Sequence, residues 1–367
     1  MILPVVFYAL VVFAGIQIVY YLFFTTFLFT DKKPKNSTKE IPISVIICAK
    51  NEAQNIQQFL PFIIEQNYKN FEIVLINDAS SDETLEVMET FKAENANIKI
   101  INVKNTEAFW GNKKYALTLG IKAAKHEHLL FTDADCKPVS KNWIANMTKN
   151  FSDTKTIILG YGKYKKEKTL VNLFVRFETL LTAIQYFSYA KLGSPYMAVG
   201  RNLAYTKTDF FNVKGFIKHI KIKSGDDDLF IQDAANKKNT TICTRANSYT
   251  ASLAPTSFKA WFQQKRRHIS TANYYKTKHK FLLGLFFITK VLFLILAIFS
   301  FSIYSWKIIL PIVFTYYFVQ FLVVGFSAKK LKESKIVYFL PFLEIGLLLF
   351  QFSIFIANLI SKPNHWK

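Results

Sequence analysis

Hydrophobic positions follow two patterns along this chain. Toward its ends they form long unbroken runs: Ile2 to Phe29 carries no charge, and Phe281 to Tyr304, Ile308 to Ala328 and Ile336 to Ile360 lie near the other end. Each is long enough for a helix that spans a hydrocarbon core of roughly 30 Å. Between them, from Ile43 onward, short apolar runs alternate with amphipathic stretches. The pattern predicts strands at 43–49, 71–76, 98–103 and 128–132. It predicts helices at 52–66, from Asp82 to about 93, and at 113–125. Strands and helices alternating at this spacing argue for an α/β fold with a mainly parallel sheet and helices on both faces.

The charges between the apolar runs suggest an orientation. Asp31-Lys-Lys-Pro-Lys35 follows the first run, and Lys329-Lys-Leu-Lys-Glu-Ser-Lys335 separates the last two. The positive-inside rule puts both segments in the cytoplasm. The first run lacks a basic leading region and a small-residue cleavage site, so it reads as an uncleaved anchor rather than a signal peptide. The expected topology is multi-pass in the cell (inner) membrane: amino terminus outside, residues 31–280 inside, a short external loop near Lys307, and the carboxyl end outside. That topology leaves two lysines of the tail, Ser361 to Lys367, on the disfavoured side. Lys290 and Glu344 interrupt two runs and need protein-facing or interfacial positions. The expected domains are 1–30, an anchor; 41–275, a cytoplasmic catalytic domain; and 281–360, three further spans.

The net charge of +22 is mostly lysine spread through the chain, with attraction to anionic lipid rather than nucleic acid as its expected consequence. The few arginines, Arg176, Arg201, Arg245, Arg266 and Arg267, are more telling, because a guanidinium offers phosphate a planar fork. Cys48, Cys136 and Cys243 show no C-x-x-C spacing and fit a reducing compartment.

Chemistry gathers where the strands end. The first ends in Cys48-Ala49-Lys50-Asn51-Glu52, the second in Asn77-Asp78-Ala79-Ser80-Ser81-Asp82, and the fourth in Asp133-Ala134-Asp135. In an open α/β sheet the carboxyl ends of parallel strands line one ligand crevice. A D-x-D in isolation also fits a turn or a helix cap. Two carboxylates at that edge equally suit a hard divalent cation, Mg²⁺ or Mn²⁺, held on a diphosphate. Asp82 reads as a helix N-cap, whereas Asp78 is free to accept hydrogen bonds from a base or ribose. No G-x-G-x-x-G or Walker A pattern follows the first strand, which argues against an ordinary dinucleotide or P-loop enzyme.

Taken in order, Ser44 to Glu52, Ile73 to Asp82 and Asp133-Ala-Asp135 resemble the family 2 inverting glycosyltransferases of GT-A fold, over roughly residues 41–275. The resemblance implies that Ala49, Asn51, Glu52 and Asp78 bind the nucleotide of a nucleotide-sugar donor, a UDP-sugar in the first instance. It implies that Asp135 contacts the metal and Asp133 the ribose or sugar. Lys113 or Lys114, in Trp110-Gly-Asn-Lys-Lys-Tyr, matches a basic position near the nucleotide, and a solvated helix start is the other reading. Gly200-Arg201-Asn202 matches the segment beside the acceptor. In Gly225-Asp226-Asp227-Asp228-Leu229 the family spacing places the catalytic base at Asp226, with Asp227 as the alternative. Repulsion within such a triplet raises the pKa of one member.

Trp261-Phe-Gln-Gln-Lys-Arg-Arg-His268 resembles the Q-x-x-R-W motif of processive members in two registers, Gln263 with Arg266 or Gln264 with Arg267. The second is preferred, which adds Gln264, Arg267 and His268 to the donor site. The missing tryptophan weakens a processive reading. The expected activity is transfer of a sugar to a lipid or lipid-linked glycan acceptor at the cytoplasmic membrane face, in cell-envelope glycan or glycolipid synthesis. The alternatives are a processive polysaccharide synthase and a non-catalytic membrane scaffold. Leu170 to Tyr189 reads either as a helix lying in the membrane interface or as an ordinary packing helix.

Overall fold

The computed structural model describes residues 2–29, 40–104, 113–222 and 224–361. The basic segment 31–35, residues Trp110 to Asn112 and the tail lysines 362 and 367 lie outside the described residues.

The chain opens with the apolar helix α1 (Ile2–Phe24) and then enters the α/β region. Here β1 (Ile43–Ala49), β2 (Phe71–Asp78), β3 (Ile98–Val103) and β4 (His128–Asp133) pair in parallel in the order β3-β2-β1-β4. Two strands run further than the pattern predicted, because Asp78 pairs with Val103 and Asp133 with Cys48. Alternate side chains fill two cores. Ile46, Val74, Ile76, Leu129 and Phe131 face one layer, which includes α5 (Lys113–Ala123). Val45, Ile47, Ile73, Leu75 and Leu130 face the layer of α2 (Ala53–Phe59), α3 (Pro61–Ile64) and α4 (Thr84–Glu94). Gly120 of α5 sits so close to β2 that a Cβ there would fall 2.1 Å from the Ile76 side chain. The helix expected over 52–66 breaks at Leu60, since Pro61 cannot donate to the preceding turn and instead begins α3.

Beyond β4 the sheet ceases to be parallel. Short β5 (Cys136–Pro138), α6 (Trp143–Thr148), β6 (Ile157–Leu159) and β7 (Gly162–Tyr164) lead to α7 (Leu170–Lys191). Then β8 (Leu203–Thr206) inserts antiparallel between β4 and β6. After α8 (Lys207–Asn212) and α9 (Asp228–Ala234), β9 (Thr240–Ile242) closes the seven-stranded sheet, and β10 (Thr250–Ser252) joins β5 and β7 in a small second sheet. The chain continues through α10 (Phe258–Ser270), α11 (Thr277–Ile303), α12 (Trp306–Lys330) and α13 (Leu340–Ile360).

Four helical segments, 4–29, 277–303, 306–330 and 334–360, are long and apolar enough to cross a membrane. The joint between them and the sheet is α7. Its Tyr186 hydroxyl donates to the Gly160 carbonyl (2.7 Å), Ser188 donates to Phe24 of α1 (3.1 Å), and Arg176 pairs with buried Glu333 beyond α12. Most of α7 is therefore buried, packed between the sheet and the apolar helices. Lys290 and Glu344 are buried and pair with each other at 2.8 Å. The last apolar helix, α13, packs on α7 near its start and on α10 at its middle and end.

Candidate active site

The parallel strands bring their carboxyl ends to one edge, where Cys48 lies opposite Asp133 in register and Asp78 ends the neighbouring strand β2. Lys113, the first residue of α5, is the hub. Its Nζ lies 2.8 Å from Asp133 Oδ1 and 3.2 Å from Asp226 Oδ2. Burial opposes the charge, but the two carboxylates hold the ammonium well above its ordinary pKa. The adjacent Lys114 has a different task. It donates to the carbonyls of His219, Ile222 and Ser224 at 3.0, 2.8 and 2.7 Å, and so anchors the segment that leads into Asp226. Of the two lysines, Lys113 is the one in the site.

The acidic triplet divides its labour. Gly225, at φ +85, turns the chain into it, in the region that favours glycine. Asp226 faces Lys113. Asp227 is the N-cap of α9; it accepts from the Gly200 amide (2.7 Å) and the Asp228 amide (2.8 Å). Burial first, then the charges of Asp228 and Asp226, push the Asp227 carboxyl up. Asp228 is buried and accepts from the hydroxyls of Thr271 (2.7 Å) and Tyr275 (2.5 Å). Asp228 is committed to building the site; Asp226 and Asp227 both line the pocket alongside Lys113, Asp133 and Gly200, with Asp227 already holding the Gly200 amide and Asp226 meeting Lys113.

Asp135 lies two residues beyond the end of β4. Burial and the Asp133 charge raise its carboxyl, whereas Asp133 itself is held low because Lys113 and Arg201 outweigh its burial. Asp133, Asp135 and Cys136 each bring one ligand atom within 4.8 Å of one another. The two carboxylates suit a hard divalent cation. Cys136 does not, because its thiol donates to Asp135 Oδ1 (3.3 Å) and burial keeps it protonated. The oxygens of this set therefore fit Mg²⁺ or Mn²⁺.

The first-strand segment needs corrections. Asn51, at φ +56, accepts from the Ser81 amide (2.8 Å), and its own amide donates to Ser80 Oγ (3.0 Å). Its Oδ1 and backbone amide clip two loops together at this edge. Glu52 is half-buried and accepts from Asn55 (2.5 Å); burial, with the nearby Asp135 and Asp133, raises its carboxyl. Ala49 is buried, and so is Asp78, whose pKa burial raises against the pull of Lys50 and Lys113. Asp82 is not the N-cap residue of α4, since Glu83 holds that place. Its carboxylate instead accepts from the Thr84 amide (3.1 Å) and the Ala53 amide (3.3 Å), and so ties two helix starts together.

On the acceptor side, Asn202 also departs from expectation. It is wholly buried, accepting from Trp143 Nε1 (3.1 Å) and donating to the carbonyls of Tyr161 (3.0 Å) and Ser248 (2.7 Å). It holds the core and cannot face a ligand. Arg201 stacks on Tyr164 at 4.2 Å, donates to Ser252 (3.1 Å), and extends its field over Asp133 and Asp135. On α10, Arg266 is spent on the end of α13, which leaves the other register, Gln264 with Arg267 and His268. Gln264 Oε1 is buried with no hydrogen-bond partner among the described residues. His268 is exposed on α10, and its ring is within reach of the Asp133 charge. Desolvation there, followed by Lys265, Arg267 and Arg201, lowers its pKa, so it is neutral near pH 7. Lys265 pairs with Glu178 of α7 at 2.6 Å.

Residues 44–213 match the family model described as glycosyl transferase family 2, and that segment is a domain of this family. The fold agrees. The mannosyltransferase PcManGT from Pyrobaculum calidifontis, solved with GDP-Man and Mn²⁺, superposes with a TM-score of 0.57 at 16% identity, covering 92% of this chain and 97% of that one. The fold is thus GT-A-like, with the mixed sheet described above. Among curated relatives, a poly-beta-1,6-N-acetyl-D-glucosamine synthase of Staphylococcus epidermidis is 34% identical over 93 residues, 25% of this chain and 21% of the relative. The Escherichia coli UDP-Glc:alpha-D-GlcNAc-diphosphoundecaprenol beta-1,3-glucosyltransferase WfaP is 28% identical over 132 residues, 35% of this chain and 48% of the relative. The matched segments span between a fifth and about half of these two relatives.

Proposed function

We propose that this chain is an inverting glycosyltransferase that moves a sugar from a nucleotide-sugar donor, a UDP-sugar in the first instance, to a lipid or lipid-linked acceptor at the cytoplasmic face of the cell membrane. The observation that carries the reading is the bridge from Asp133 through Lys113 to Asp226, set at the carboxyl edge of the sheet and joined by α7 to the apolar helices. A donor diphosphate entering at this edge meets Lys113 and Arg201, and competes with Asp226 for the lysine ammonium. Asp226, released, accepts the proton of an acceptor hydroxyl. That oxygen forms the new bond to the anomeric carbon as the bond to the diphosphate breaks, and the electron pair leaves with the diphosphate. Asp135, with Asp133, would hold Mg²⁺ or Mn²⁺, which supplies charge neutralisation at the diphosphate. Gly200, fixed by Asp227, forms the floor beside Asp226.

A lipid-borne acceptor is supported by the apolar helices and by WfaP, whose named acceptor is a diphosphoundecaprenol-linked sugar. The processive reading draws on the poly-N-acetylglucosamine synthase relative, but this chain has His268 where the Q-x-x-R-W motif has its tryptophan. One experiment separates the readings. Membranes containing the protein are incubated with a panel of radiolabelled nucleotide sugars and Mg²⁺ or Mn²⁺, then extracted with organic solvent. Label in a lipid fraction with one sugar per acceptor supports single transfer. Label in water-soluble polymer favours the synthase, and no label with any donor contradicts the proposal.

A further inference from the structure

We infer that α13 does not cross the membrane but lies within the leaflet on the catalytic side, so that Ser361 is on the same side as the active site. Two facts place α10 firmly with the catalytic domain. It runs directly into Thr271 and Tyr275, which bind Asp228, and its Lys265 pairs with Glu178. Along its whole length α13 follows α10 and α7. Near its start, Phe342 packs on Phe174 with ring centroids 5.6 Å apart, and Gly346 is so close to Phe174 that a Cβ would fall 2.5 Å from the ring. In mid-helix, Phe350 stacks on fully buried Trp261 at 3.8 Å and 11°. At its end, Arg266 donates to Asn358 Oδ1 (2.8 Å) and to the carbonyls of Ala357 (3.0 Å) and Ser361 (2.6 Å). A spanning helix of this length would carry Ser361 about 30 Å away, to the opposite surface, beyond the reach of any side chain on α10.

The other three apolar helices behave as spans should. Gln17 of α1 bonds Thr289 of α11 at 2.8 Å, and Phe7, near the start of α1, meets Tyr304, just past the end of α11, at 5.8 Å. Helices α1 and α11 therefore lie side by side, α12 joins them where Gln320 donates to the Tyr21 hydroxyl (2.8 Å), and α13 meets that bundle through Glu344, which bonds Lys290 and Tyr316.

The occupant of the free face of α13 is lipid acyl chain. Phe342, Ile345, Leu349, Phe352, Phe355 and Leu359 recur every three or four residues and are all exposed, which makes a continuous apolar stripe. The stripe is continuous with the bundle through Glu344. It is preceded by exposed Lys332 and Lys335, cations suited to the lipid phosphates. This arrangement also removes the conflict with the positive-inside rule that a spanning α13 created. The inference rests on α1, α11 and α12 spanning a membrane and is independent of the sugar-transfer reading.

The test is cysteine accessibility in the full chain, in sealed vesicles of known orientation, with a membrane-impermeant maleimide and the unsubstituted chain as background. Ser361→Cys should label together with Lys92→Cys on α4. Ser305→Cys, between α11 and α12, should label only from the other side. Lys362→Cys serves as a second position should Ser361→Cys loosen the Arg266 contact. Labelling of both tail positions together with Ser305→Cys would overturn the inference. Leu349→Cys covers the face itself. Quenching of a fluorophore there by lipids brominated near the headgroup supports the leaflet placement, whereas oxidant-induced disulfide dimers through Leu349→Cys would give the face to a second copy and contradict it.

Discussion

Two lysines in this molecule share the same chemistry and have opposite surroundings. Lys290, among the apolar helices, pairs with Glu344 at 2.8 Å and with the Tyr21 hydroxyl at 2.9 Å, with 5% of its side chain exposed and 1% of that of Glu344. Lys113, at the sheet edge, bridges Asp133 and Asp226 with 18% exposed against 38% and 16%. The closed pair has no route for an outside ligand and so holds helices together. The open one presents a cation and two carboxylates to a cleft, where an incoming anion can exchange partners with them. Polar groups in the interior are retained for assembly or for chemistry, and access separates the two.

Breaking the closed pair should give the largest change in stability. Glu344→Leu strands the Lys290 ammonium and should cost about 3–5 kcal/mol, read as a fall in the melting temperature of the purified protein. Adding Lys290→Leu should recover most of that loss, because no unpaired charge then remains buried. If the double variant is no more stable than the single, the pair is not a self-contained lock. The open bridge should respond the other way. Lys113→Met should lower transfer on the order of 10²- to 10³-fold while leaving the melting temperature nearly unchanged, since it removes a preorganised cation from the site and not from the core. A large loss of stability there would dissolve the contrast. A smaller loss of stability than at Glu344 is expected at Tyr275→Phe, which deprives buried Asp228 of one of its two hydroxyl donors and should cost about 1–3 kcal/mol. An unchanged melting temperature for this variant would show that Thr271 alone satisfies the carboxylate.

The same contrast explains what the sequence could and could not reveal. The first four strands were legible because buried parallel strands read as apolar runs, and the acids at their ends followed from the geometry of such sheets. Asp78 and Asp133 proved to be the last paired residues of their strands, since polar strand ends carry no periodic signal. Asn202 and Asn51 looked like ligand residues because they are polar within motif segments, yet each spends its side chain on the protein itself. The Asp228–Tyr275 bond joins residues 47 positions apart and leaves no local pattern. The contacts of α13 were equally hidden, because length and apolarity are the same for a helix that crosses a bilayer and one that lies within a leaflet. Only contacts such as Arg266 with Ser361 distinguish them.

The most direct measurement pairs nucleotide binding with sugar transfer in Asp226→Asn. Asparagine keeps the shape of the side chain but cannot accept the acceptor proton as a carboxylate does. Binding of a nucleoside diphosphate in the presence of Mg²⁺ or Mn²⁺ should persist at close to the unsubstituted affinity, while transfer to lipid falls by about 10²- to 10⁴-fold. Transfer at the unsubstituted rate in Asp226→Asn would remove this residue as the base and contradict the account of the site.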